Sequence, residues 1–143
     1  TEDNISVLIK TVQSLPIKKV MFCIGGDGRD EVSLVGKTKF ISVKGKEIEE
    51  FEFDFSKEIE CIKTDYACGD SHENALTFIN ICIEEDWENP IIKHISINAA
   101  AALLCSGNVS SLSEGYDKSM KLFKSDAVIK AINYYKEVAA KLK

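Results

Sequence analysis

In its second half this chain changes the period of its apolar residues from two to 3.6, and that change limits the fold more than any other feature. Phe51, Phe53 and Phe55 alternate with Glu52 and Asp54, as a half-exposed strand requires. Ala75, Leu76, Ile79, Cys82 and Ile83 instead share one face only on a helix of about 3.6 residues per turn. Strand and helix sequence thus occur in one chain, and a helix leading into a buried strand upstream predicts an α/β domain. Upstream, Ile5, Leu8, Ile9, Val12 and Leu15 recur at helical spacing behind the acidic Glu2 and Asp3, which suit the positive end of a helix, and Pro16 closes that segment. Val20 to Ile24 is continuously apolar and reads as a strand covered on both faces, the kind that parallel sheets contain. Thr38 to Val43 and Ile48 to Phe55 flank Gly45 and predict a hairpin or strand pair. The expected architecture is a partial mixed sheet flanked by helices.

The helical half carries its own punctuation. Asp70 with Glu73 forms a capping-box pattern opening a helix that should end near Trp87. Pro90 suits a first helical position, and Ile91 to Cys105 is apolar on nearly every side, so that helix should be buried before Gly107 stops it. Ser111 with Glu114 repeats the capping-box pattern. Ser125 is placed to open a last helix, striped by Val128, Ile132, Tyr135, Ala139 and Leu142. No linker or internal repeat divides the 143 residues, a length that supports one domain with a sizeable core.

Composition excludes several classes. With 45% hydrophobic residues, 29% charged and 2 prolines the chain is not disordered or low-complexity. Its longest apolar runs, Ala99 to Cys105 and Val20 to Ile24, fall far short of the roughly 20 residues that span a bilayer, and the acidic start is no secretory signal. Five cysteines, an odd number without a C-x-x-C pair, point to a reducing cytosol rather than a disulfide framework. Cys68 and His72 form a C-x-x-x-H pair, but the one other histidine, His94, lies in an apolar stretch, so a four-ligand zinc site lacks partners. His72 reads as a first-turn surface residue.

Charge is segregated along the chain. Lys46 to Glu60 holds seven acidic residues against two lysines, whereas Lys118 to Lys143 holds seven lysines against Asp126 and Glu137. A basic stripe can attract nucleic acid, and a nucleic-acid-binding paralogue using these C-terminal helices is the alternative function. Against it, the chain has one arginine, Arg29, for bidentate base reading, and Phe51, Phe53 and Phe55 sit in the most acidic stretch rather than among cations. These aromatics and Trp87 read as core. Asn98, within an alanine-rich helix, reads as a packing or helix-bonding residue.

One segment looks built for chemistry: Gly25-Gly26-Asp27-Gly28-Arg29-Asp30-Glu31, directly after the apolar strand. Open α/β sheets bind ligands at the carboxyl ends of their strands. The segment matches neither G-x-x-x-x-G-K nor G-x-G-x-x-G leading into a helix, since Glu31 is followed by Val-Ser-Leu-Val. Adjacent carboxylates fit magnesium, a hard cation that takes one or two carboxylates with substrate phosphates and waters. On the residues alone, a solvated turn accounts for the segment equally well.

From Lys18 to its end the sequence resembles the closing part of the anthranilate phosphoribosyltransferase family. The run from Val20 to Ser33 fits that family's G-x-D-G-x-D-E-x-S turn, and Cys68-Gly-Asp-Ser-His-Glu-Asn-Ala75 is similar to its G-G-D-x-x-E-N-A helix start. Ile97-Asn-Ala-Ala-Ala-Ala-Leu103, then Gly107 and Ser111-Leu-Ser-Glu-Gly115, resemble its L-N-A-A-A-A-L, G and S-L-x-E-G stretch. The resemblance lies in four motifs in one order; it covers most of this chain but only the last part of the family's protein.

The resemblance implies residues 1–143 as the C-terminal segment of the α/β catalytic domain shared by nucleoside phosphorylases and phosphoribosyltransferases. It implies transfer of phosphoribosyl from phosphoribosyl pyrophosphate to anthranilate in tryptophan biosynthesis, in the cytoplasm. Asp30 and Glu31 become the Mg2+ ligands, and no catalytic nucleophile is assigned. The family's N-terminal helical domain, which forms its homodimer interface and part of its anthranilate site, and its G-T-G-G-D and K-H-G-N segments do not occur in these residues. With Thr1 in place of a methionine, the chain is expected to be a piece of a longer polypeptide, inactive alone. A pyrimidine nucleoside phosphorylase on the related fold matches the motifs less well.

Overall fold

The computed structural model describes residues 2–59 and 69–142. Helix α1 (Glu2–Ser14) precedes strands β1 (Val20–Gly25), β2 (Lys37–Lys44) and β3 (Glu47–Asp54), after which come α2 (Ser71–Glu84), α3 (Pro90–Cys105), α4 (Leu112–Phe123) and α5 (Ala127–Ala140). The α/β class holds.

The sheet departs from expectation in one respect. Its order is β1-β2-β3, and among the described residues both pairings are antiparallel rather than mixed, with Phe22 opposite Ile41 and Phe40 opposite Phe51. The β1 strand is therefore at an edge and only partly covered; Ile24 keeps 39% of its surface exposed. Its apolar run has a different cause from the one inferred. Met21 and Cys23 pack on the main core, while Ile24 lines a groove that also takes in Ile5, Leu8 and Ile9 of α1. Both faces of the strand thus meet apolar surface without a parallel neighbour. The predicted hairpin forms as expected, turning at Gly45, whose φ of 61° a side chain would rarely adopt.

Two clusters make the core. Val32, Leu34, Phe40, Phe55, Ile97, Ala100 and Leu112 join sheet to α3 and α4, and Ile81, Ile92, Met120 and Phe123 join α2, α3 and α4. Tyr116 packs against both clusters. The predicted burial of α3 is seen in Ile92, His94, Ser96, Ile97 and Ala100.

The helix ends follow the local chemistry with three corrections. The Asp70–Glu73 capping box is complete: the Asp70 carboxylate accepts from the His72 and Glu73 amides, and Glu73 accepts from the Asp70 amide. This helix stops at Glu84, short of Trp87, because Glu85 turns into the left-handed region at φ 55°, leaving Trp87 to pack near Phe123. At α4 only half a box forms; Ser111 caps the Glu114 amide, but the Glu114 carboxylate bonds the amide and hydroxyl of Ser110. At α5 the N-cap position falls to Asp126 without a side-chain bond, and Ser125 reaches the Ala127 amide at 3.3 Å. No residue of α5 is buried, and Tyr135 and Leu142 of its stripe are exposed.

Candidate functional site

The site grows out of the end of β1. There the Gly25 amide donates to the Arg29 carbonyl at 3.2 Å and the Gly26 amide to the Lys37 carbonyl at 2.8 Å, tying the turn to β2. Gly26 must be glycine, since a Cβ would stand 2.5 Å from the Lys37 oxygen. Asp27 accepts from the Arg29 amide and lies 3.6 Å from its guanidinium. The loop thereby holds its own shape, and Asp30 and Glu31 leave it as exposed carboxylates.

Directly after them the chain dives into the core. Val32, Ser33 and Leu34 are buried, and the Ser33 amide donates to Thr38 Oγ1 at 2.8 Å. Two side chains of α3 grip the backbone of Val32. Asn98 Oδ1 accepts from the Val32 amide at 3.1 Å, and His94 Nε2 donates to the Val32 carbonyl at 3.0 Å, which places the ring proton on Nε2. Asn98 Nδ2 donates in turn to the His94 carbonyl at 3.0 Å. Glu31 extends its carboxylate to 3.8 Å from the same His94 nitrogen.

Sequence reasoning gave Asn98 a local role and left His94 without one. A usable signal existed: two polar residues four positions apart, on one face of a largely apolar helix. What they hold could not be read, because Val32 lies 66 residues from Asn98.

Glu31 and His94 form one end of an open groove of about 740 Å³ whose far side is α2, with Glu73, Asn74 and Thr77. Asn74 is committed to Gly69, bonding both its amide and its carbonyl. Negative charge at the turn is felt by its neighbours: burial pushes the Cys23 thiol above its ordinary value, and Asp30 and Glu31 push it further the same way.

Among the described residues no three His, Cys, Asp or Glu side chains gather at metal-binding distance. The Asp30–Glu31 pair still fits magnesium in kind, as oxygen donors open to solvent that leave most of a shell for phosphate and water. Of the residues considered for zinc, Cys68 lies outside the described residues, His72 is exposed, and His94 is buried against Val32. Phe51 stacks on Phe40 at 5.0 Å and Phe55 is buried, so these rings belong to the core. The acidic strand is partly neutralised by Lys39 on Glu50 and Lys37 on Glu52. No described helix is long and apolar enough to cross a membrane.

Comparison with known proteins bears on the family and the fold. Residues 1–127 match the glycosyl transferase family, a/b domain. The chain is 32% identical over 127 residues to the anthranilate phosphoribosyltransferase of Saccharolobus islandicus (strain M.16.4), covering 87% of this chain and 36% of that one. With that of Dictyoglomus turgidum it shares 38% over 111 residues, covering 73% and 32%. Its fold is similar to that of anthranilate phosphoribosyltransferase from Saccharomyces cerevisiae in complex with 4-fluoroanthranilate, with a TM-score of 0.71 at 17% identity over 86% of this chain and 36% of that one. A variant of the yeast enzyme with Mg bound superposes with a TM-score of 0.67 at 18% identity, over 82% and 34%. The chain thus spans about a third of the length of the relatives it matches. Matched over nearly all its elements, the chain belongs to the glycosyl transferase family and forms part of its α/β domain.

Proposed function

We propose that this chain is the C-terminal segment of the α/β domain of an anthranilate phosphoribosyltransferase, and that Asp30 and Glu31 hold its Mg2+. The observation that carries the reading is the pair of exposed carboxylates at the carboxyl end of β1, on a turn fixed to β2 on one side and α3 on the other. Relatives that share its sequence are named for this activity, and one structure of similar fold is described with Mg bound.

In the reaction, the anthranilate amine bonds to the ribose anomeric carbon and gives up one proton to solvent, while pyrophosphate leaves with the electron pair of the broken bond. The transition state is oxocarbenium-like, so the protein's task is positioning and charge neutralisation rather than nucleophilic attack. Magnesium supplies the charge that offsets the diphosphate. The turn residues keep Asp30 and Glu31 at the ligand face, and the buried Val32 to Leu34 segment anchors them from behind. The reading carries with it tryptophan biosynthesis, a homodimer built through an N-terminal helical domain, and cytoplasmic residence. It also makes the 143-residue chain inactive by itself, because the remaining two thirds of such an enzyme help orient the substrates.

The test is Asp30→Asn with Glu31→Gln in the full-length polypeptide. Two exposed carboxylates contribute little to folding, so the double variant should keep its melting temperature while turnover falls strongly and its dependence on magnesium changes. An unchanged magnesium response would remove both residues from the site.

A further inference from the structure

We infer that Asn98, assisted by His94, is a positioning residue for the Asp30–Glu31 pair, setting the direction of those carboxylates from α3. The inference rests on the proposed magnesium role of that pair. Its own ground is that α3 takes both polar groups of one peptide unit's residue: the Val32 amide at 3.1 Å by Asn98 and the Val32 carbonyl at 3.0 Å by His94. Val32 follows Glu31 immediately and is fully buried, so neither group can turn to water instead.

The two grips are coupled. Asn98 bonds the carbonyl of His94 one helical turn back, so the amide that accepts from Val32 is itself oriented by the helix. With Val32 pinned on both sides, the backbone leaving Glu31 has little freedom, and the Glu31 carboxylate lies 3.8 Å from His94. A loop tied to β2 alone, through Gly26 and Thr38, would lack this second anchor. Groups of this kind, touching a ligand-bearing segment and not the ligand, commonly change metal affinity by about 10-fold to 100-fold when removed.

Asn98→Leu keeps the branched shape and removes the acceptor, leaving the Val32 amide buried and unpaired. Asn98→Asp keeps the Oδ1 acceptor but loses the Nδ2 donor to the His94 carbonyl. Both variants, with Asp30→Asn/Glu31→Gln as reference, would be made in the full-length polypeptide and titrated with Mn2+ in the presence of inorganic pyrophosphate, following water-proton relaxation. Hydrogen exchange at the Val32 amide is read in parallel. The expected result is that Asn98→Leu exposes the Val32 amide to exchange and weakens Mn2+ binding about tenfold or more, whereas Asn98→Asp, which keeps the acceptor but not its tether, loses less than Asn98→Leu in both. Weak Mn2+ binding in the carboxylate double variant with native affinity in Asn98→Leu would overturn the positioning role alone. Native affinity in the carboxylate double variant would overturn the magnesium reading and this inference with it. If Asn98→Leu does not fold, Asn98→Ser, whose hydroxyl is too short to span the gap, takes its place under the same criteria.

Discussion

Gly115 of α4 lies against the backbone of Ala100 of α3 so closely that a Cβ would stand 2.9 Å from the Ala100 Cα and 3.0 Å from its carbonyl oxygen. Backbone cannot yield as a flexible side chain can. Gly115→Ala would gain about 1 kcal/mol in helix propensity, yet it must push the two helices apart, and overpacking of this kind costs about 1–3 kcal/mol. The crossing also sets the position of Ile97 and Leu112, which close the main core. Denaturant unfolding should show Gly115→Ala less stable than the native protein. A gain in stability would mean that α3 and α4 have room to separate.

The cap of α2 offers an independent measurement. Asp70 satisfies two of the orphan amides of the first turn, those of His72 and Glu73, at 2.8 and 2.9 Å. Asp70→Ala should therefore cost about 1 kcal/mol, while Asp70→Ser, which keeps an acceptor, should cost much less. Because Glu73 and Asn74 of this turn line the groove opposite Glu31, faster amide exchange there would mark a loosened wall of the candidate site. Equal stability of the two variants would show that the cap is not formed.

The parts of this fold that were legible from sequence are those fixed by near neighbours. Pro16, Gly45, Pro90 and Gly107 mark breaks and turns where expected, and Asp70 with Glu73 act within one helical turn. The exposed turn that carries Asp30 and Glu31 is local in the same way, a glycine-rich acidic stretch after an apolar strand, but their role as Mg2+ ligands is implied by the family resemblance and not by that pattern. What failed depended on partners distant in the chain. Whether Val20 to Ile24 has one neighbour or two is decided by strands elsewhere, so its apolar run was consistent with a parallel interior strand and with the edge strand observed. The grip of Asn98 and His94 on Val32 was hidden for the same reason, and Glu114 chose Ser110 over Ser111 by a difference of one residue that pattern alone does not resolve.

Acid should weaken the fold, in two parts that salt can separate. Glu52 is held below its ordinary value of 4.5 by hydrogen bonding to and the charge of Lys37, Glu88 by the same effects from Lys93, and Glu114 by its bonds to the hydroxyl and amide of Ser110. For each, the unfolded chain binds its proton more tightly than the folded one, so the stabilisation is present above pH 4.5 and is lost as pH falls through the lower folded values. Added salt screens the lysine pairs, most of all the exposed Lys37–Glu52 pair, but not a neutral hydroxyl and amide. Thermal unfolding between pH 6 and about 3 should then show a drop that high salt reduces in the native protein, whereas Glu114→Gln should remove a portion that salt does not touch. A melting temperature independent of pH over that range would contradict these assignments.

The last prediction concerns the chain by itself. Among the described residues the sheet ends at β1 on one side and β3 on the other, and the two edges differ in character. Strand β3 carries exposed Glu47, Glu49, Glu50 and Glu52, which discourage pairing with another chain, whereas β1 offers Val20 to Ile24 with no charge. An exposed apolar side chain of α1, Leu8 at 46%, shares a groove with Ile24 at 39%. An uncharged edge beside such a patch is a template for a second copy. The isolated 143-residue chain should therefore sediment as concentration-dependent oligomers, and Ile24→Lys, which places a charge at the open end of β1, should shift it toward monomer. The full-length polypeptide, with further chain available to cover this face, should not share the effect of Ile24→Lys on assembly. A native 143-residue chain that stays monomeric as its concentration rises would show that α1 already shields β1 well enough.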